Sequence, residues 1–335
     1  MPDTVMNTIS GNLSAENKTF YDRTLLECLK PNLLFHNYGQ KRPIPKKEGD
    51  TINFRRYAAL PANTTALTEG VTPAGSELSI STVTATAHQY GDFTRMTDVI
   101  DTIGIDDNVT EATEILGDQA GLTLDTVVRN VVCAGSNVLY SSGTSTAEVQ
   151  SSDKLTGDLI KKAVRALRRQ NAKPVEGGFF IGIIHPDAEY DLQSDPLWQD
   201  VSKYNGGEAI VAGEIGKIHG VKFVTTSNAV IAEGAGAAVI TEGSSSEGSS
   251  TEGSSSEGSG AAGADVYSTM ILGANAYGVV EIEGEGKPRI IIKDTKSGGT
   301  EDPLEQRATV GWKAFMTAVR LDELSMIRIE HSATA

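Results

Sequence analysis

The chain has 335 residues, of which 39% are hydrophobic and a further 35 are glycines, a composition typical of a globular protein with one or two sizeable domains. The formal net charge is −15 and the isoelectric point is near 4.8, which excludes the overall basic character of a nucleic-acid-binding protein. Cys28 and Cys133 are too few for a disulfide framework, so we expect Cys133 to be a small buried thiol.

The first residues, MPDTVMNTISGNLS, lack the charged start and the apolar run of a signal peptide. No stretch of about 18 apolar residues occurs, which predicts that the chain has no membrane span. We therefore expect a protein that is made and used in the cytosol without membrane contact.

Residues 1–49 are predicted to form an N-terminal arm. The pattern favours a polar, extended start and then a short helix over 18–29, which a following proline stops. Leu33, Leu34 and Phe35 extend the apolar surface of that helix. The next segment, RPIPKKEGD, contains two prolines and a Gly-Asp pair, so it ends the arm and separates it from the β-rich residues after it.

Residues 50–98 are predicted to form an extended β-hairpin loop. Two β-rich runs, TINFRRYAAL and LSISTVTATAHQYGDFTRMTD, enclose a turn-rich segment that is too long for a tight turn. Both faces of the hairpin are polar, so it cannot build a core by itself. It either lies as a flap on its own domain or reaches out and is buried on a neighbouring molecule, and the long joining segment favours the second arrangement.

The run from Asn108 to Gly135 predicts one long amphipathic helix of roughly 40 Å, at ~1.5 Å per residue. Asn108 and Glu111 form a capping-box-like pair at its start, and Gly135 is placed to end it. Gly117 and Gly121 should each lower the stability of the helix by up to ~1 kcal/mol relative to alanine. Either close packing against another backbone or simple neglect of helix propensity explains why they occur here. The predicted apolar stripe, with Asp125 and the other charges lying off it, is Val109, Ala112, Leu116, Ala120, Thr123, Val127 and Val131, widened by Ile115, Leu122 and Val128.

A second amphipathic helix is predicted over 156–170. Its apolar face carries Leu159, Ile160, Ala163, Val164 and Leu167. The opposite face holds the one basic cluster that the sequence reveals, and it has two interpretations: a solvated helix face, or a contact with phosphate or an acidic neighbour. The cationic residues of this basic helix are Lys161, Lys162, Arg165, Arg168 and Arg169.

The middle of the chain combines short strands with one more helix. The predicted elements are a buried strand at 179–184, a helix from Pro186 through Val201, and short strands at 210–211 and 221–225. Asp187 is predicted to cap that helix, which makes His185-Pro186-Asp187 a helix start more readily than a catalytic site. Leu197, Trp198 and Val201 are predicted to point inward.

From 242 to 260 the chain is a Ser/Gly/Glu repeat with no apolar residue, so we expect a disordered, solvated loop. Strand-like sequence on both sides makes it an insertion whose two ends should be neighbours. The remaining strands are predicted at 279–282, 290–292, 309–319 and 325–330. Trp312 and Phe315 fit a core beneath the long helix better than an interface.

No constellation in the sequence supports catalysis. The five histidines show no ligand spacing with one another or with the cysteines, and the phosphate-loop and GxSxG patterns are absent. We therefore predict no catalytic residue, no metal site and no cofactor.

The order of polar arm, polar hairpin, long helix and mixed domain resembles the major capsid proteins of tailed phages, whose fold is named for phage Hong Kong 97. Several stretches resemble one branch of phage and prophage coat proteins, namely 20–57, 111–130, 185–204, 213–228 and 302–321. The resemblance implies an α+β fold with an N-terminal arm, an extended β-hairpin loop, a long spine helix, a peripheral domain and an axial domain. It assigns 99–154 to the peripheral domain with the spine helix, 155–275 to the axial domain with the repeat, and 276–335 to strands returning to the peripheral domain.

The resemblance implies a coat protein that assembles into the icosahedral head shell of a tailed bacteriophage around double-stranded DNA. The implied partners are further copies of the chain in hexamers and pentamers, portal and scaffolding proteins, a possible cement protein, and packaged DNA in a non-specific contact through the basic helix. The candidate inter-subunit residues are Ile52, Phe54, Arg55, Arg56, Ile80, Val83 and Arg95. Some members of the fold cross-link subunits through a lysine on the extended loop, but no lysine occurs here between Lys47 and Lys154, so we expect a non-covalent shell.

Three competing functions differ in class. An encapsulin-like bacterial nanocompartment subunit shares the fold but encloses protein cargo. A tail, surface-layer or adhesin protein is a second structural alternative, which the absence of an export signal disfavours. An enzyme is the third, and no motif in the sequence supports it.

Overall fold

The fold is described from a computed structural model. It describes Leu25 and residues 33–97, 108–195, 214–237, 263–293 and 304–334, apart from 59, 68, 73–74, 176, 284–286 and 305 within those ranges. The predicted polar start, the helix over 18–29 except for Leu25, the inward residues 197–201, the strand at 210–211 and the repeat at 242–260 lie outside the described residues. Leu25 is helical and fully buried.

The chain divides into two compact units, residues 1–128 with 277–321 and residues 129–276 with 322–335. This division differs from the predicted boundaries at two strands. The strand at 138–140, predicted in the peripheral part, and the strand at 326–331, predicted to return to it, both pair within the second unit.

The first unit contains a five-stranded sheet and a separate two-stranded hairpin. Its elements are the one-turn helix α1 (Phe35–Tyr38), β1 (Gln40–Ile44), β2 (Thr51–Tyr57), β3 (Ile80–Thr86), β4 (His88–Thr97), the spine helix α2 (Asn108–Cys133) as far as residue 128, β11 (Tyr277–Ile282), β12 (Arg289–Lys293) and β13 (Arg307–Arg320). The sheet has the order β1-β11-β13-β12. Strand β4 also pairs with β13, along the edge opposite β12. The hairpin consists of β2 and β3.

The second unit contains a seven-stranded sheet and two helices. Its elements are β5 (Val138–Tyr140), α3 (Gly157–Arg169), β6 (Phe180–Ile184), α4 (Pro186–Ser194), β7 (Glu214–Ile218), β8 (Val221–Thr225), β9 (Ile231–Ala232), β10 (Val266–Leu272) and β14 (Met326–His331). The strand order is β5-β14-β10-β6-β8-β7, with β9 beside β10. Helices α3 and α4 supply apolar side chains to one core with this sheet, which includes Leu167, Leu192 and Phe223.

The spine helix spans Asn108–Cys133, as predicted, but its buried stripe is rotated from the predicted one. Leu116, Ala120 and Val128 are buried as expected. Ile115 and Leu122 are instead 69% and 52% exposed. The buried positions also include Thr113, Gly117, Gly121, Leu124, Asp125, Val132 and Cys133.

Asp125 belongs inside because its carboxylate has a buried partner. The backbone N–H of His36, a residue of the predicted N-terminal arm, donates to Asp125 Oδ1 over 3.2 Å. A buried carboxylate is tolerated where such donors meet it. Gly117 and Gly121 are both buried.

Strand alternation separates the two aromatic residues that were predicted to share a core. Trp312 on β13 is 3% exposed, and its indole N–H donates to Gln119 on the spine helix over 3.3 Å, which confirms its predicted place. Phe315 is half-buried, because odd positions of β13 face away from the helix. The prediction for Phe315 was therefore wrong.

The ends of the serine-rich insertion are neighbours, as predicted. Gly236 N–H donates to the Ala264 carbonyl over 2.8 Å, and Ala264 N–H donates to the Ala237 carbonyl over 2.9 Å. The described residues that flank 238–262 therefore lie side by side in the second unit.

Candidate assembly surfaces

The paired stem of the hairpin is short. Strands β2 and β3 pair from Thr51 opposite Thr86 to Tyr57 opposite Ile80. The sequence run that was predicted as one strand breaks at Ala87, after which β4 pairs with β13 of the sheet. Arg95 is therefore a residue of the five-stranded sheet and not of the hairpin.

The stem is anchored on its own chain by Phe54. This side chain is 5% exposed and packs in a small core with Ile44, Ala85, Ala87 and Val280. The guanidinium of Arg42 lies 5.8 Å from its ring centre. Phe54 is thus buried by apolar residues of its own chain. The prediction that Phe54 is buried between subunits is corrected accordingly.

The far end of the hairpin has no such cover. Tyr57 and Ile80, which pair across the stem, are 58% and 51% exposed. Every described residue of 60–82 is exposed. Ile52 and Val83 lie half-buried beside the small core, while Arg55 and Arg56 are exposed. Apolar side chains at this end are thus exposed on the single chain.

The basic helix α3 has the two faces that its sequence predicts. Its five apolar residues are buried in the core of the second unit, and all five cationic side chains are exposed. A groove of about 750 Å³ runs along this side and is lined by Lys161, Arg165, Arg168 and Arg169 together with His219. Such a groove has the charge and the donors to hold an anionic chain.

His219 belongs to this groove but was not singled out from the sequence, because it comes from the β7–β8 turn. Its backbone has a φ of +49°, and burial together with the charge of Lys161 lowers its pKa. Its Nε2 is buried without a hydrogen-bond partner. No local pattern links this turn to a helix that lies 50 positions earlier.

A buried polar network ties the start of the described chain to the spine helix and the sheet. His36 Nε2 lies 2.6 Å from Glu281 Oε1 on β11, and its hydrogen bond lowers the pKa of that carboxyl. Tyr277 O–H donates to the Phe35 carbonyl. These contacts hold α1 against α2 and β11, and the sequence gives no sign of them because the partners lie far apart in the chain.

The helix start at His185 has a structural role. His185, and not Asp187, caps α4: its Nδ1 accepts from the Asp187 backbone N–H over 3.3 Å. Asp187 Oδ2 accepts from the Tyr267 hydroxyl over 2.9 Å, and burial with this carboxylate raises the pKa of Tyr267 to about 12. Within the described ranges, no cluster of His, Cys, Asp and Glu has metal-binding geometry.

Among the described helices, none is both long and apolar enough to cross a membrane. A family model described as a phage capsid protein matches residues 80–329. No curated protein sequence matches the chain.

Solved capsid structures share the fold along almost the whole chain. The capsid of Ralstonia phage GP4 matches with a TM-score of 0.65 at 14% identity, covering 99% of this chain and 96% of that chain. The capsid of Helicobacter pylori bacteriophage KHP30 matches with a TM-score of 0.62 at 12% identity, covering 98% and 93%. A virus-like particle from Pyrococcus furiosus matches less well, with a TM-score of 0.50 at 10% identity, covering 94% and 99%.

Proposed function

The chain belongs to the phage capsid protein family, and from this we propose that it is the major capsid protein of a tailed bacteriophage, built on the Hong Kong 97-type fold. Many copies close an icosahedral head shell, and the protein ends in the virion capsid after assembly in the host cytoplasm. The observation that carries this function is the family match over residues 80–329, together with a fold that follows phage capsids from end to end.

The two units have the parts that such a shell subunit needs. We assign the unit with the spine helix and the five-stranded sheet to the peripheral domain, and the unit with the basic helix to the axial domain. The hairpin then reaches a neighbouring copy, since Tyr57 and Ile80 are more than half exposed in the single chain. Each exposed charge pair between copies contributes only ~0–1 kcal/mol, and repetition through symmetry supplies the strength.

The proposed partners are other copies in hexamers and pentamers, a portal, a scaffolding protein and a possible cement protein. Packaged DNA is a further partner of the basic helix, whose five cations face outward from an otherwise acidic chain. Such a contact is non-specific and weakens with salt. Replacing Arg165 and Arg168 with Glu in particles should lower the amount of retained DNA but leave the shell intact, as measured by the absorbance ratio of purified particles.

The role is structural, and we propose no catalytic activity. A nanocompartment shell remains the second candidate, because the particle from Pyrococcus furiosus shares the fold at a lower TM-score than the phage capsids. The two candidates differ in cargo. Particles purified from infected or induced cells should contain DNA, whereas a nanocompartment would contain protein.

The test of the function is assembly. Purified chain, concentrated with and without a scaffolding protein, should sediment as large particles and appear as closed shells by negative-stain electron microscopy. Particles dissolved in hot SDS should release this chain as a 35.4 kDa monomer without cross-linked multiples, since the extended loop offers no lysine for a cross-link. A compact single-chain species at every concentration would overturn the proposal.

A further inference from the structure

The groove between the basic helix α3 and the β7–β8 turn combines polar groups from two elements of the second unit. Its volume is about 750 Å³, and its lining joins cations of the helix to His219 of the turn. The buried side chain of Val164 also lines it. Two elements that are far apart in the sequence therefore build one groove.

The cations of this groove are neutralised to different extents. Lys161 Nζ lies 3.1 Å from Asp158 Oδ1, one turn earlier on the helix, so these two charges offset each other. Within the part of the chain that the structure describes, no carboxylate forms an ion pair with Arg165, Arg168 or Arg169. Three exposed guanidinium groups thus lack a counter-charge from the described residues.

The β7–β8 turn brings an imidazole next to these guanidinium groups. Ile218 pairs with Val221, so His219 and Gly220 form a two-residue hairpin turn, with φ angles of +49° and +86°. Turns of this kind favour Asn, Asp or Gly at the first central position, yet a histidine occupies it here. A Cβ on Gly220 would lie 3.0 Å from Arg168 Nη2, so the turn and this guanidinium are close neighbours.

A buried ring nitrogen in this groove lacks a partner. His219 Nε2 has no hydrogen bond among the described residues, and a buried polar atom ordinarily meets a protein group, a water or a ligand. The charged groups that face the ring are Lys161 and Asp158 on α3 and Asp195 after α4. Burial, and then Lys161, lowers the pKa of His219, while the two carboxylates oppose that shift. The ring is therefore neutral near pH 7, and one of its nitrogens carries a hydrogen to donate.

Linked phosphates fit this set of donors. A guanidinium donates paired N–H groups to the oxygens of a phosphate, and an imidazole N–H donates to a further oxygen. From Lys161 to Arg169 the helix rises ~12 Å, which is more than one phosphate spans. A nucleic-acid strand carries one phosphate per ~3.4 Å, so successive phosphates can meet successive turns of the helix.

We propose that this groove is a discrete phosphate-binding site, in which Arg165, Arg168 and His219 hold successive phosphates of a nucleic-acid strand. The inference rests on the proposed function and deepens it, because it assigns the DNA contact to one groove made by two elements. The charge of the whole helix face does not suffice. Contacts to phosphates carry no sequence information, so the site binds any sequence.

Lys162 provides the matched control, because it is an exposed cation of the same helix that does not line the groove. Arg168→Ala in the full, unassembled chain should weaken the binding of a short fluorescent duplex about tenfold at low salt. It should also reduce the slope of log K against log salt by about one. Lys162→Ala removes the same charge and should weaken binding less than about threefold. Equal losses in the two variants would overturn the inference.

His219→Asn tests the turn without straining it, since asparagine tolerates a positive φ. At pH 8 this variant keeps the net charge and should still weaken duplex binding about threefold, the effect of one lost neutral hydrogen bond. A bound phosphate favours the protonated ring, so the wild-type affinity should rise more between pH 8 and pH 6 than that of the variant. Coincident affinities and pH dependences would overturn the inference.

Competition identifies the source of the phosphates. Inorganic tripolyphosphate should displace the duplex from the wild type, and a polyglutamate of equal charge should displace it less well, because the groove recognises phosphate. Polyglutamate that competes equally would assign the groove to an acidic protein segment and overturn the inference. Tripolyphosphate that binds to a chain without affinity for the duplex would overturn the assignment to nucleic acid.

Failure of this inference and failure of the proposed function are distinguishable, because duplex binding is measured before assembly. A chain that binds the duplex through Arg168 but never forms particles overturns the proposed function and leaves the groove assigned. A chain that forms closed shells but responds equally to Arg168→Ala and Lys162→Ala overturns only the discrete site.

Discussion

The second unit and the hairpin have similar β-forming sequences but complete their folding in different ways. Strands β6 and β10 are buried at every position, covered by neighbouring strands and by helices α3 and α4. Strands β2 and β3 are exposed at most positions, and only Phe54 and Ala85 are buried. The β propensity of a segment thus favours a strand in both places. Whether that strand is buried within one chain depends on the strands and helices that pack over it.

The largest effect that would sharpen this comparison is a core truncation in the second unit. Phe223 is fully buried against Gly182 and Val221, so Phe223→Ala should lower the free energy of unfolding of the unassembled chain by ~3–5 kcal/mol. Ile80→Ala on the exposed hairpin should change it by less than ~0.5 kcal/mol. Urea unfolding checks both variants. Similar losses would mean that the hairpin is packed on its own molecule.

A second test compares the buried stem of the hairpin with its exposed end. Phe54→Ala removes a buried ring from the small core at the stem and should cost ~3 kcal/mol in the unassembled chain, whereas Ile80→Ala should mainly lower assembly. Unfolding and sedimentation, measured on the same two variants, check this split. A large assembly defect in Phe54→Ala without loss of stability would restore Phe54 to the inter-subunit set.

Much of the architecture can be predicted from local pattern. Periodicity correctly places the spine helix, the basic helix with its five buried apolar residues, and the late strands. These elements can be predicted because the spacing of apolar residues along a short segment differs between helices and strands. The coincident ends of the insertion could also be predicted, from the strand-like sequence on both sides. Single-residue boundaries do not follow from periodicity, as the shift of the cap from Asp187 to His185 illustrates.

The features that could not be predicted depend on partners far along the chain. Asp125 is buried because the His36 backbone reaches it, and Ile115 and Leu122 are exposed because the helix is rotated to meet the sheet. The same reason separates Phe54 from Ile80, two apolar residues in one hairpin. The pairing of β4 with β13 joins strands more than 200 residues apart, so no sequence window contains it.

A pH test extends the comparison to charge. His331 on β14 is fully buried; its Nδ1 lies 2.8 Å from the Ser332 carbonyl and its Nε2 lies 2.8 Å from the Thr269 hydroxyl, and burial lowers its pKa to about 4. The folded state thus binds the proton less well than the unfolded chain, whose histidine pKa is about 6.5, so stability is complete above that value and falls with acid.

Between pH 7 and pH 5 this histidine should remove about 2 kcal/mol from the stability of the second unit. The hairpin stem contains no histidine, so hydrogen exchange should show the second unit opening with acid while the stem responds less. In His331→Gln the pH dependence of unfolding over this range should be smaller by the same amount. An unchanged slope in that variant would show that His331 is not the titrating group.

The smallest expected effect concerns the Ser/Gly/Glu repeat, which belongs neither to the core of the second unit nor to the hairpin. Deleting 242–260 leaves the hydrogen bonds among Gly236, Ala237 and Ala264 in place and shortens the span between them about fourfold. Because the entropy of loop closure changes by only ~0.6 kcal/mol for each doubling of length, the variant should be more stable by ~1 kcal/mol and should assemble normally.

The repeat carries four of the glutamates of an acidic chain, so we expect it on the outer surface, where DNA does not repel it. A glutamate-specific protease should therefore cut it in intact wild-type particles, and the deletion variant is the control that identifies the cut. The cut shells should stay closed, since the strands on either side remain paired through β9 and β10. A repeat that is protected in intact shells but cut in dissociated chains would place it inside, and its charge would then have to be neutralised there.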